Sequence, residues 1–241
     1  MNLIRSIVFF VWLYLSMAAC ASFGIPFSAF SQRGAIGVAR MWARLTMWGA
    51  RWIMGIKVVI EGRENIPHGA SIMAMKHLSM MDTYFPFLLL DNPSVVLKQE
   101  LSDLPIFGWH TQRSGAIPVA RETHASALKK MLRRAREEIA KDREIFIFPE
   151  GTRQEIDAKP DYKPGVAALY RDLNVPVTPV ATNTGLCWPA HGLVRRPGTV
   201  TVRILPAIPP GLSRDDFMQR LISDIETNSQ ALIARERERV A

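Results

Sequence analysis

From Ser6 to Gln32 the chain has no charged side chain, and Ile7–Tyr14 is an almost unbroken apolar run. A stretch of that length can cross the hydrocarbon of a bilayer as a helix. No other feature restricts the chain so much, because this much contiguous apolar surface has to be covered by protein or by lipid. Gly24 and Pro26 are the residues that would end such a helix early. Three readings fit the segment. Arg5 ahead of a run ending in small residues matches a cleaved signal peptide, and Met17-Ala18-Ala19-Cys20 matches a lipoprotein cleavage site. A retained anchor agrees better with the charges on either side. Arg33, Arg40, Arg44 and Arg51 come after the segment and Arg5 alone before it, so the positive-inside rule puts the body of the protein on the cytoplasmic side.

The next stretch continues the theme. Trp42, Leu45, Trp48, Trp52, Ile53 and Ile56 recur at helical spacing, with Arg40, Arg44 and Arg51 largely elsewhere on the wheel. Tryptophan with arginine on one amphipathic helix suits the headgroup layer, although a helix packed on a protein core has the same pattern. Residues 1–55 are therefore expected to form an N-terminal helical membrane anchor, and residues 56–241 a single α/β domain. Thirty Lys and Arg against 22 Asp and Glu leave a net charge of +8. Such an excess serves nucleic acid or an anionic membrane. Here the arginines accompany tryptophans and an apolar anchor, which favours the membrane surface and argues against nucleic acid. Cys20 and Cys187 cannot build a disulfide framework, and no C-x-x-C zinc pattern is present.

Past Gly55 the rhythm changes to short apolar runs. Lys57–Ile60, Ser71–Met75, Ser94–Leu97, Ala116–Val119, Glu144–Phe148, Val175–Ala181 and Thr199–Leu205 are expected strands. Helices are expected from Asp82 to Leu90, from Glu122 to Lys141, from Gly165 to Leu173, and after Ser213, which can cap the last one. In the second of these, Leu128, Met131, Leu132, Ala135 and Ile139 form the apolar stripe. Strands alternating with helices predict a largely parallel sheet with helices on both faces, and ligands at the carboxyl ends of its strands.

The chemistry-bearing residues sit at those ends. His77 follows the buried run Ser71–Met75, and Asp82 stands five residues on. A carboxylate beside one ring nitrogen fixes the tautomer, so the other nitrogen can take a proton from a hydroxyl. A histidine that merely caps the strand-to-helix turn would satisfy the same spacing. Gly115-Ala116-Ile117-Pro118-Val119-Ala120-Arg121 and Phe148-Pro149-Glu150-Gly151-Thr152-Arg153 each place an arginine beyond a strand. The guanidinium fork suits phosphate, and Gly151 allows close approach of a ligand to the backbone. Pro118 cannot donate to a ladder, so its segment is expected as an edge or irregular strand. Val175–Val180 is an apolar, proline-punctuated strand that could wall an acyl channel.

These four blocks in this order resemble the lysophosphatidic acid acyltransferases, the PlsC-like 1-acyl-glycerol-3-phosphate acyltransferases, over roughly residues 40–210. The resemblance implies a general base at His77 oriented by Asp82, and phosphate contact by Arg121. It also implies an acceptor site shaped by Glu150, Gly151, Thr152 and Arg153, with Lys98 near the reacting carbonyl. A strand-end surface lysine would look the same as Lys98. The resemblance implies no bound cofactor, with acyl-CoA or acyl carrier protein as donor substrate and a lysophospholipid as acceptor. It places the enzyme at the bacterial inner membrane, catalytic domain on the cytoplasmic face. The second block departs from the family in its Ile-Pro-Val-Ala centre. Asp82 speaks against the related lipid A acyltransferases, which carry Glu there. Another lysolipid acceptor, such as a lyso-ornithine lipid, and a non-catalytic anionic-lipid-binding protein stay open as alternatives. Asn183-Thr184-Gly185 and Trp188 are further candidates for setting acceptor choice.

Overall fold

The structure, a computed structural model, describes residues 1–120 and 124–240, without the side chains of 124, 125 and 240. The uncharged segment forms α1 (Asn2–Phe23), a helix long and apolar enough to cross a membrane by length and composition. It ends at Gly24, where an added Cβ would lie 2.4 Å from the Cys20 carbonyl and 2.6 Å from Val38. Only glycine allows that approach. Pro26 stands in the first turn of α2 (Ile25–Phe30), where its missing N–H costs nothing. Ser31 then caps α3 (Gln32–Trp52), its Oγ accepting from the Gly34 amide at 2.9 Å.

Helices α1 and α3 run back along one another. Trp12 donates its indole N–H to the Leu45 carbonyl at 2.9 Å and lies directly over Gly49. Trp42 turns inward, edge-on to Tyr84 at 5.1 Å, whereas Trp48 and Trp52 are exposed. Ile56, expected on this helix, instead opens the first strand, because the chain leaves the helix at Trp52 and turns at Gly55 with φ +73°.

The strands are β1 (Ile56–Glu61), β2 (Ser71–Met75), β3 (Pro93–Lys98), β4 (Ile117–Val119), β5 (Glu144–Ile147), β6 (Val177–Thr182) and β7 (Gly198–Ile204). They form one sheet in the order β1-β7-β6-β2-β5-β3-β4. Every neighbouring pair is parallel except β6 with β7. Among the described residues β4 pairs with β3 alone, at the edge of the sheet, whereas Pro179 lies within the inner strand β6. The helix expected from Asp82 begins instead as a 3₁₀ turn, Met80–Tyr84, and continues as α4 (Phe85–Leu89) with Pro86 in its first turn.

Alternate residues of the central strands feed two cores. Met73, Met75 and Phe146 pack with Phe9, Leu13, Ala43, Ala50 and Trp188, so α1 and α3 lie on this face. Ile72, Ala74, Ile145 and Ile147 face α7 (His124–Ile139), α8 (Gly165–Leu173) and the first turns of α9 (Arg214–Val240). α5 (Gln99–Ser102) and α6 (Phe107–Arg113) bridge β3 and β4. Ser213 caps α9, accepting from the Asp216 amide at 3.2 Å. The carboxyl ends of β6, β2, β5, β3 and β4 share one edge of the sheet, and the conspicuous polar residues gather there.

Candidate active site

His77 lies two residues beyond β2. Ser79 caps the 3₁₀ turn after it, and Asp82, third in that turn, returns the bond by accepting from the Ser79 amide at 2.7 Å. The same oxygen, Oδ2, accepts from the Leu78 amide at 2.7 Å and lies 3.1 Å from His77 Nδ1. Oδ1 accepts from the Thr184 hydroxyl at 2.6 Å. Asp82 is thus fully buried with both oxygens occupied. A carboxylate that only accepts calls for a proton on Nδ1, so the inferred tautomer leaves a lone pair on Nε2. The imidazole is 12% exposed, and its face is stacked on Phe148 with ring centroids 3.9 Å apart.

The backbone of His77 is held from β5. The chain leaves that strand through Phe148 and Pro149, and Glu150 turns inward. Its Oε2 accepts the His77 amide at 2.8 Å, and the Gln154 amide donates to the His77 carbonyl at 2.8 Å. Glu150 is fully buried; its other oxygen accepts from Lys76 Nζ at 3.1 Å. Lys76 also donates to Glu226 of α9 at 2.6 Å, and Tyr162 donates to the same Glu226 oxygen at 2.8 Å. Burial pushes the Glu150 carboxyl above the usual carboxylate range, opposed by the Lys76 charge and the His77 amide. Burial, then the charges of Glu226 and Glu150, pushes the Tyr162 phenol up as well.

Gly151 has φ +68°, a conformation other residues adopt at a cost, and its amide closes the turn onto the Phe148 carbonyl at 3.0 Å. Thr152 and Arg153 come next, exposed at the rim. Lys98 ends β3, whose neighbour is β5, so it shares the sheet edge but stands two strands from β2. Arg121 lies outside the described residues. The structure therefore brings His77, Asp82 and Glu150 into direct contact and sets Gly151, Thr152 and Arg153 on the adjoining turn. Glu150 shapes the site from beneath, through the His77 amide, because neither carboxylate oxygen is exposed. Trp188 is buried against Phe9 with centroids 5.2 Å apart, so it belongs to the core.

Thr184, Phe148, Lys76, Glu226 and Tyr162 carry no local sequence signal that joins them to this pair. Thr184 belongs to the Asn183-Thr184-Gly185 segment expected to bear on acceptor choice, and its hydroxyl secures Asp82. The Ser79-x-x-Asp82 spacing is that of a capping box, a local pattern consistent with the turn. Chemically, the arrangement offers an imidazole nitrogen at the ligand edge of a parallel sheet, held at its amide, carbonyl, ring face and Nδ1. That is the equipment for withdrawing a proton from a hydroxyl.

Residues 57–183 match the family model described as Acyltransferase, and the chain belongs to that family. The 1-acyl-sn-glycerol-3-phosphate acyltransferase of Pseudomonas aeruginosa is 33% identical over 208 residues, covering 85% of this chain and 80% of that protein. The enzyme of the same name from Saccharomyces cerevisiae is 28% identical over 207 residues, covering 82% of this chain and 67% of that one. The fold is also that of the crystal structure of the 1-acyl-sn-glycerophosphate acyltransferase PlsC from Thermotoga maritima. The TM-score is 0.78 at 20% identity, over 96% of this chain and 98% of that one.

Proposed function

We propose that this protein is a 1-acylglycerol-3-phosphate O-acyltransferase. It moves a fatty acyl group from acyl-CoA or acyl carrier protein to the sn-2 hydroxyl of 1-acyl-glycerol-3-phosphate, making phosphatidic acid. The observation that carries the reading is His77, with Nδ1 on buried Asp82 and Nε2 left to act. The acceptor hydroxyl gives its proton to Nε2 as its oxygen attacks the thioester carbonyl carbon. Lys98 or backbone amides near Gly151 steady the oxyanion. The tetrahedral intermediate collapses by breaking the C–S bond, and the departing sulfur takes the proton back from His77. Arg121 and Arg153 bind the acceptor phosphate. No metal or covalent enzyme intermediate takes part in this scheme.

Residues 1–55 act as the membrane anchor, holding the catalytic domain at the cytoplasmic face of a bacterial inner membrane. Support comes from the span-length α1 and from the outward-facing Leu3, Ile7, Val11, Phe27, Trp48 and Trp52.

The test is to incubate purified protein with a panel of lysolipids and both donors, identifying products by mass spectrometry. Phosphatidic acid should form, and His77→Ala should lower the rate by about 10²–10⁴ while staying folded. Full activity in that variant would overturn the assignment. Arg153→Ala should raise KM for the acceptor and be partly rescued by more acceptor; failure of rescue moves Arg153 to a structural role.

A further inference from the structure

Beneath the site, one ammonium is shared by two carboxylates. The Lys76, Glu150 and Glu226 side chains are 3%, 0% and 13% exposed. Lys76 and Glu226 lie 150 residues apart in sequence. The arrangement is economical in donors and acceptors. Glu150 spends one oxygen on the His77 amide and the other on Lys76. Lys76 gives a second proton to Glu226, and the Tyr162 hydroxyl holds that same Glu226 oxygen in place. Each member fixes the next, and the chain ends at the backbone of the residue assigned as base.

Without the ammonium, buried Glu150 and partly buried Glu226 would face each other as like charges, and repulsion would turn one aside. Glu150 could then no longer hold the His77 amide in its present place. Without Glu226, the ammonium keeps Glu150 but loses its second tether. Displacements of about 1 Å at a catalytic group cost up to roughly a hundredfold in rate.

We infer that Lys76, Glu226 and Tyr162 are positioning residues, a buried relay through which helix α9 sets the backbone of His77. This rests on the reading of His77 as the base. The network carries one formal positive and two negative charges, so it also sets the local field. Asp82 faces the imidazole directly, and Asp157, Arg237 and Glu238 line the groove outside Glu226. Removing a negative charge beneath an imidazole disfavours its protonated form, and removing a positive charge favours it.

The experiment compares kcat, acceptor KM, Tm and the pH profile of kcat for the full chain and four variants. Glu226→Gln should lower kcat about tenfold, leave KM within about twofold, and move the acid limb down by roughly half a pH unit. Lys76→Met should lower kcat further and move the limb the other way, to higher pH. Tyr162→Phe, which keeps the ring, should lower kcat a few-fold with KM unchanged, and it decides the matter with Glu226→Gln if Lys76→Met does not fold. Arg237→Ala, which breaks the exposed pair with Asp157 on the same helix face, should leave all readouts as they are. Unchanged kcat in Glu226→Gln and Tyr162→Phe overturns the relay, as does a loss confined to KM or Tm with the acid limb in place. Activity surviving in His77→Ala would instead sink the assignment of the base.

Discussion

Asp82 accepts from His77, from two backbone amides and from the Thr184 hydroxyl while fully buried, so its charge and its shape are both in use. An asparagine there must point its NH₂ at some of those donors. Asp82→Asn should cost about 1–3 kcal/mol of stability for the unpaired groups. It should also lower kcat by about 10² or more, because the imidazole loses the acceptor that sets its tautomer. Thermal melts and steady-state kinetics on the same preparation separate the two effects. Gly151 makes a different demand. An added Cβ would meet only Lys163 Cγ at 3.6 Å, so space is no obstacle and backbone conformation alone calls for glycine. Gly151→Ala should therefore cost about 1–2 kcal/mol, read as a lowered Tm.

At the scale of elements, Arg143 at the entrance to β5 ties together parts of the chain that do not neighbour one another in sequence. It is fully buried, pairs with Glu138 of α7, and donates to the carbonyls of Asn92, Pro93 and Ser114. Arg143→Met should cost about 3–5 kcal/mol, because Glu138 and three carbonyls are left without it. Chemical denaturation would measure that loss, and kcat per folded molecule should hold. The far end of α9 is fastened differently. Glu236 accepts the Thr199 amide at 2.7 Å and pairs with Arg239, which holds its carboxyl below the ordinary value of 4.5. A lowered folded-state pKa gives stability that is full above the ordinary value and is lost as pH falls through the lowered one. Glu236→Gln should flatten the fall of Tm below about pH 5.

For the whole molecule, α1 has two apolar strips with different destinations. Phe9 and Leu13 enter the same core as Met73 and Phe146, whereas Leu3, Ile7 and Val11 face outward. The helix is thus part of the folded body and also presents an exposed apolar strip. Trp48 and Trp52, exposed on α3, extend that surface. Replacing both by serine should reduce co-sedimentation with anionic vesicles while leaving Tm nearly unchanged. Equal loss of both would mean that these tryptophans serve packing instead.

The amino-acid sequence by itself determined the elements and the local part of the site. Apolar periodicity placed the seven strands and the long helices but not the short α2, α5 and α6, and His77 and Asp82 are close enough along the chain for one turn to join them. Glu150, Gly151 and Arg153 were legible as a block after a strand, although the inward turn of Glu150 was not. Only the tertiary structure decided that Trp42 and Trp188 belong to the core and that Thr184 secures Asp82. The same holds for the joining of Glu226, on the last helix, to Lys76. The physical reason is that a buried charge or hydroxyl takes its partner from whichever strand or helix the sheet order sets beside it. Here that order puts β6 and β5 on either side of β2, an adjacency that local periodicity does not carry.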